Sequence, residues 1–336
     1  MIRFGVGVVG CGLIGKRRAA VAAATPASRC VAVTDASPAI ARSVASETHA
    51  EAVGDWRAIV ARDDVDIVVV ATPNAFLAEV GIAAMEAGKH VLIEKPMGRN
   101  LEEAMRLAES ARSTGRVLKI GFNHRYHPAI ARAHEALERG DIGRIINVRC
   151  RYGHGGRAGY ELEWRGSREM AGGGELTDQG VHVTDLLHWF AGVPVEAFGM
   201  VQTAVWPLGD LEDNGFGLFR FEGGAIASFH TSWTQWKNLF SLEVFGERGA
   251  LQMEGLGRSY GPERLIIHRR RAEGGAPDTQ EEEFPGEDIS WQLEWDDFLG
   301  GIDGRPMLGN AADGVISMRM LDALYRSASQ KSMVSV

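Results

Sequence analysis

Phe4-Gly5-Val6-Gly7-Val8-Val9-Gly10-Cys11-Gly12-Leu13-Ile14-Gly15 decides the fold. A short apolar run leads into glycines at positions 10, 12 and 15, and an Ala-rich helical pattern, Leu13–Ala24, opens within them. Strand, Gly-x-Gly-x-x-Gly and helix in that order form a dinucleotide cradle. The glycines let the backbone turn tightly and approach a pyrophosphate, and the helix N-terminus offers unpaired N–H groups and positive potential. Alone the hexapeptide says little, because 42 of the 336 residues are glycine, and its bland reading is a tight turn in an α/β protein that binds no nucleotide. Its setting strengthens it. The next apolar run, Cys30–Thr34, ends in Asp35, 20 residues after Gly15, where such a site needs a carboxylate for the adenosine ribose hydroxyls. That carboxylate would repel the extra phosphate of NADP. Ala36-Ser37-Pro38 supplies no arginine, and Arg42 lies a helical turn or more away, so NAD is expected rather than NADP.

The pattern continues through the first 120 residues. Apolar runs at Asp66–Ala71, His90–Ile93 and Val117–Ile120 alternate with helical segments at Pro38–Glu47, Asn74–Ala87 and Leu101–Ser113. Runs rich in Val and Ile with little polar alternation suit strands buried on both faces, and strand–helix–strand repetition predicts a parallel sheet with right-handed crossovers. The pattern changes after residue 122. A helix is expected at Pro128–Arg139, then a long alternating strand, Ile142–Tyr152. Consecutive short strands follow at Val195–Ala204, Phe216–Phe221, Ala225–Trp233, Leu239–Phe245, Ala250–Glu254 and Arg264–His268, separated by glycine-containing turns. That spacing predicts a mostly antiparallel open sheet, with helices at Leu176–Phe190, Trp291–Leu299 and Ala311–Ser327. The acidic stretch Glu273–Glu283 reads as a surface loop. The expected architecture is an α/β domain over 1–122, of the Rossmann type with a parallel sheet, followed by an α+β domain over 123–336 that binds substrate and oligomerises. Its closing helix, about 311–327, is expected to pack back on the first domain.

Composition excludes several classes. A hydrophobic fraction of 45% and a charged fraction of 24% describe a globular protein. A net charge of −8 disfavours a nucleic-acid surface. No apolar run approaches the roughly 20 residues of a membrane span. The three cysteines, Cys11, Cys30 and Cys150, form no paired motif and fit a reducing compartment, so a cytoplasmic protein is expected.

Two further clusters carry chemistry. Glu94-Lys95-Pro96 follows the run His90–Ile93, at the carboxyl edge where doubly wound sheets bind ligands. A lysine desolvated there could exchange a proton with a substrate hydroxyl, although an isolated loop lysine is ordinarily just solvated. The second cluster is Gly172-Gly173-Gly174-Glu175-Leu176-Thr177-Asp178-Gln179-Gly180-Val181-His182-Val183-Thr184-Asp185. On one continuous helix Asp178, His182 and Asp185 project from one face, and a carboxylate one turn from an imidazole can orient the ring and raise its basicity. Two rivals are an N-capping Asp beside a surface His, and a divalent-ion site built from the three residues. Lys95 would be an awkward neighbour for a cation, so no metal is expected.

These motifs, with Ala71-Thr72-Pro73-Asn74 and Gly121-Phe122-Asn123-His124-Arg125-Tyr126, occur in an order that resembles the Gfo/Idh/MocA family over nearly the whole chain. The resemblance implies hydride transfer between a nicotinamide ring and a carbinol or keto carbon of a sugar, cyclitol or related polyol. It implies that Lys95 and His182 handle the proton, with Asp178 holding a substrate hydroxyl and steering His182. Gly10, Gly12, Leu13, Ile14, Gly15 and Asp35 then belong to the cofactor site, as do Thr72, Pro73 and Asn74 on the adenosine and pyrophosphate side. Glu94, Lys95 and Asn123 fall near the nicotinamide ribose. Substrate would meet Lys95, Asn123, Arg165, Asp178 and His182. The Glu-Lys-Pro turn implies a cis Lys95–Pro96 bond.

Several alternatives stay open. The same fold also serves dinucleotide-binding regulators without turnover, and hydrolases or epimerases that oxidise their substrate transiently. Arg149, Arg151, Arg157, Arg165 and Arg168 could recognise an acidic substrate such as a sugar acid, or could simply be a solvated face. His124 and His127 could line the site or only turn the chain before Pro128. An open sheet with an uncovered face predicts a homodimer or homotetramer.

Overall fold

The computed structural model describes residues 3–336. The chain divides into two compact units. One takes in the chain up to Phe122 together with Trp291–Val315, and the other comprises Asn123–Ser290 with Ile316–Val336.

In the first unit, strands β1 (Phe4–Val9), β2 (Ser28–Thr34), β3 (Glu51–Ala52), β4 (Ile67–Val70), β5 (His90–Ile93) and β6 (Leu118–Ile120) form a sheet of order β3-β2-β1-β4-β5-β6. Every pairing is parallel. β1 and β4 are buried along their whole length, as continuous apolar runs between helix layers must be. The order reverses between β1 and β4, and the first glycine turn follows β1 at that switch point. Two elements had no legible signal. β3 is two exposed residues long, and the five-residue helix Trp56–Val60 is set by Asp55, which accepts the Arg57 N–H at 2.9 Å.

The segment Trp291–Val315 belongs with this unit, although the sequence reading kept 123–336 continuous. Helix Ser290–Ile302 presents Trp295, Phe298 and Leu299 to the same core as Phe4, Val6, Val8 and Val69, and Trp295 Nε1 donates to Ser28 Oγ at 3.2 Å. A helix with two buried aromatic rings can hide them only against an apolar layer, and the face beside β1 and β2 supplies one. Helix Ala311–Gln330 begins here too, its Gly314 packing so closely that an added Cβ would lie 2.5 Å from Met97 Sδ.

In the second unit, β7 (Ile145–Gly153), β8 (Pro194–Gln202), β9 (Asn214–Phe221), β10 (Ile226–Ser232), β11 (Leu239–Gly246), β12 (Gly249–Glu254), β13 (Arg264–Arg269), β14 (Asp278–Glu283) and β15 (Val334–Ser335) form one sheet. Its order is β14-β13-β12-β11-β7-β10-β9-β8-β15, antiparallel except where β7 meets β10. One face is buried; β9, for example, turns Gly215, Gly217, Phe219 and Phe221 inward and Phe216, Leu218 and Arg220 outward. β14 corrects the surface-loop reading of Glu273–Glu283. Its residues are nearly all exposed, so no apolar alternation marks it. Its position comes from pairing with β13, where Arg264 meets Glu281 and Arg269 meets Gln280. An acidic outermost strand also discourages further strand addition. Among the described residues, no helix is long and apolar enough to cross a membrane.

Candidate active site

The residues of the first unit expected to meet the cofactor gather at the carboxyl ends of β1, β2, β4 and β5. Gly10 has φ +90°, and a Cβ there would meet Ala71 O at 2.4 Å. A Cβ on Gly15 would lie 1.8 Å from Gly10 O, so the helix can start this close only with glycine. Gly12, by contrast, has nothing within 4 Å of its Cβ direction. That open approach, beside the N-terminus of helix Leu13–Ala24 with no side-chain cap, is the cradle a pyrophosphate needs. Leu13 is exposed and Ile14 half-buried over it. Asp35 is locked beside the loop, with Oδ2 accepting the Cys11 N–H at 2.7 Å and Oδ1 the Ser37 N–H at 2.8 Å. Thr72 and Pro73 follow β4, and Asn74 begins helix Asn74–Glu86, its side chain buried. Thr72 Oγ1 is buried with no hydrogen-bond partner among the described residues, a donor held ready for a ligand. These residues fit a dinucleotide.

Glu94 and Lys95 follow β5, and the Lys95–Pro96 bond is cis, as expected. Glu94 is held by Arg18, whose Nε donates to Oε1 at 2.8 Å and which also reaches the fully buried Glu294. Burial pushes the Glu294 carboxyl up, against the pull of Arg18 and Lys119. The residue before Lys95 is thereby anchored in a buried charge cluster.

The second group lies in the second unit. The expected helix Leu176–Phe190 is broken: Glu175–Asp178 forms one turn, and Gly180–Ala191 follows after Gln179. At the break the His182 N–H bonds to Gln179 O at 3.0 Å, a tighter turn than an α-helix makes. Asp178 ends the first segment and His182 lies in the first turn of the second. The glycines before them are obligatory, since a Cβ on Gly174 would meet Glu212 O at 2.1 Å. Glu212, which the sequence reading missed, caps the segment: its Oε1 accepts the Gly174 and Leu176 N–H groups at 3.0 and 3.1 Å and the Tyr325 hydroxyl at 2.7 Å.

Asp185 does not share the site. Arg125 binds both its oxygens in a fork, at 2.6 to 3.2 Å, and both residues are buried. The divalent-ion reading needed Asp185 as its third donor. Arg165 does come to Asp178, Nε to Oδ2 at 3.4 Å. Arg149 pairs with Glu243, Arg157 with Glu163 and Arg168 with Asp210, so four of the five arginines already face carboxylates, and Arg151 acts electrostatically on Glu254. Asn123 is buried beside His124, and the His124 ring stacks on that of His182, centroids 3.7 Å apart and planes 14° apart. Tyr152 and Tyr260 close the cluster. Burial raises the Tyr152 phenol well above its ordinary value and pushes Tyr260 up to about 12, so both remain hydroxyl donors. No local pattern announces these two tyrosines; each reaches the cluster from a distant strand or turn.

The chain matches two family models: the NAD-binding Rossmann-fold oxidoreductase family over residues 4–122, and the GFO/IDH/MocA C-terminal domain over residues 130–252. Levoglucosan dehydrogenase of Pseudarthrobacter phenanthrenivorans is 31% identical over 75% of this chain and 73% of its own. This chain belongs to the Gfo/Idh/MocA oxidoreductase family. Inositol 2-dehydrogenase of Rhizobium meliloti is 25% identical over 100% of this chain and 99% of its own. A solved structure of levoglucosan dehydrogenase in complex with NADH and levoglucosan superposes with a TM-score of 0.90, at 26% identity, covering 99% of each chain. As a Gfo/Idh/MocA member the protein is an NAD-dependent oxidoreductase acting on CH–OH groups, and NAD is the cofactor its first unit fits.

Proposed function

We propose that the protein oxidises a ring hydroxyl of a neutral sugar, cyclitol or related polyol, with Lys95, Asp178 and His182 as the catalytic group. The observation that carries this reading is Asp178 and His182 set on either side of a helix break behind an obligatory glycine turn, in a chain whose other unit carries the dinucleotide cradle. When bound, NAD accepts the hydride that leaves the carbinol carbon. His182 and Lys95 handle the hydroxyl proton, and Asp178 orients a neighbouring hydroxyl. The glycine turn, Asp35 and the Thr72–Asn74 segment hold the cofactor; Asn123 and Arg165 complete the substrate side. The pairing of four of the five arginines with carboxylates supports a neutral substrate over a sugar acid. Copies of the chain associate through the outward face of the second unit's sheet, as a homodimer or homotetramer. Three buried thiols and the use of NAD suit the cytoplasm.

The test is a panel of levoglucosan, glucosides, inositols and sugar acids with NAD, read by NADH absorbance and by product analysis. A keto product formed with stoichiometric NADH is expected. Product without net NADH would instead mark a transient oxidation. Lys95→Met and His182→Ala should each cut turnover by roughly 10²-fold or more while NAD still binds, because each handles a proton rather than docking the cofactor. Full activity in either variant removes that residue from the mechanism.

A further inference from the structure

The ring stacked behind His182 belongs to His124, and its two nitrogens are held from opposite sides. Nδ1 lies 3.1 Å from Asn123 Oδ1 and Nε2 lies 3.1 Å from the Tyr152 hydroxyl. The direction of each hydrogen bond follows from the far end of the chain. Asp288 offers only acceptors there, and Ser290 Oγ donates to its Oδ1 at 2.6 Å. With its proton engaged, the Ser290 oxygen accepts from Asn123 Nδ2 at 3.1 Å. That orients the Asn123 amide, so its Oδ1 faces His124 and requires a hydrogen on Nδ1. In the neutral ring Nε2 is then an acceptor, and Tyr152 must donate to it. Behind Tyr152, the Tyr260 oxygen receives Gln179 Nε2 at 3.1 Å. From Tyr152 to Asp288 every donor points the same way.

We infer that His124 is a positioning residue for His182: the chain Tyr152–His124–Asn123–Ser290–Asp288 fixes His124 as a neutral Nδ1–H imidazole whose face supports the His182 ring. The inference rests on the proposed role of His182 as the proton acceptor. A second proton on His124 would have to break the Tyr152 bond, and it would place two cations face to face, so proton uptake is confined to His182. The electron-rich face of a neutral ring also favours the imidazolium that forms beside it. The other groups around His124 fit this picture. His127 meets it edge-on at 5.7 Å and is itself held by Glu263 at 3.1 Å, and Phe240 packs edge-on at 6.1 Å. Burial chiefly, with the charges of Glu175 and Asp178 adding to it, keeps the two tyrosine hydroxyls protonated.

The direct test is histidine 15N NMR of the full-length protein from pH 5.5 to 9. One histidine should stay neutral with hydrogen on Nδ1, and its signals should vanish in His124→Phe. A His124 that titrates in this range, or carries its hydrogen on Nε2, overturns the inference whatever role His182 has. The kinetic test uses levoglucosan and inositol with NAD in the oxidising direction. Tyr152→Phe frees Nε2 to take a proton beside His182, so the acid limb of kcat/KM should move to lower pH by at least about half a unit, with a several-fold lower plateau. In Tyr152→Phe combined with His124→Phe the shift should disappear, because the second titrating ring is gone. A loss of activity from looser packing alone would lower the plateau without moving the limb. An unmoved limb in Tyr152→Phe, or a shift that persists in the double variant, overturns the inference. Failure of the His182 assignment itself would show instead as full activity in His182→Ala.

Discussion

Asp35 shows how one side chain can serve two purposes. Its oxygens already accept the Cys11 and Ser37 N–H groups, which fixes the carboxylate beside the glycine turn and leaves it lone pairs for a ligand. A hydrogen bond to a charged group contributes about 1.5–3 kcal/mol, so Asp35→Ala should weaken NAD by roughly ten- to a hundred-fold and relax discrimination against NADP. Fluorescence titration with both nucleotides measures this; equal affinities in the unmutated protein would contradict the assignment. Cys11 sits between two of the glycines, yet burial pushes its thiol up to about 12, and those of Cys30 and Cys150 up to about 11 and 12. A thiol that far above neutrality is scarcely ever a thiolate. At pH 8 the native protein should therefore leave a thiol-exchange reagent unreacted over minutes, and the unfolded chain should titrate three thiols. Fast reaction of Cys11 in the native state would mean that the loop opens more than its packing allows.

The helix Ser290–Ile302 shows where reading by segment ran out. Its pattern is visible in the sequence, but its destination is not, since nothing local says that Trp295 will find Ser28 and the β1–β2 layer. Trp295→Ala should destabilise the first unit by about 3–5 kcal/mol, the usual cost of emptying a buried aromatic site. Denaturant unfolding followed by NAD-binding competence checks this, and a cost under about 1 kcal/mol would detach the helix from that core. The parallel strands of the first unit were legible because burial on both faces leaves unbroken Val and Ile runs. β14 was not, because an exposed edge strand has no apolar face to betray it. The site divides in the same way. Gly10, Gly15 and Asp35 could be read because their chemistry is local in the chain. The break at Gln179, the diversion of Asp185 to Arg125 and the stacking of His124 on His182 arise from contacts across elements, and the helical spacing that grouped Asp178, His182 and Asp185 assumed an unbroken helix.

For the molecule as a whole, the unanswered surface is the outward face of the second unit's sheet. Met200, Phe216, Leu218 and Ile226 are 60%, 39%, 46% and 44% exposed, and they lie on the adjacent strands β8, β9 and β10, with Met200 directly opposite Phe216. Scattered exposed apolar residues need no explanation, but a contiguous set on one sheet face is the composition of an interface core. Arg220 and Glu196, paired at 2.9 Å beside them, are the kind of polar neighbours a rim carries. The net charge of −8 opposes loose aggregation while leaving this patch free to pair in one defined way. A second copy of the chain fits it best, because a two-fold arrangement sets the same apolar strip against itself, and a stable dimer needs about 1,200–2,000 Å² of total buried surface, which a broad sheet can supply. Leu218→Glu puts an unpaired carboxylate into that contact. If the proposed association forms, Leu218→Glu should leave only monomer in light scattering at micromolar concentration, with the circular dichroism spectrum unchanged, because the side chain points away from the unit's own core. An unmutated protein that runs as a monomer at the same concentration would sink the assignment, and so would a Leu218→Glu variant that keeps the parent mass.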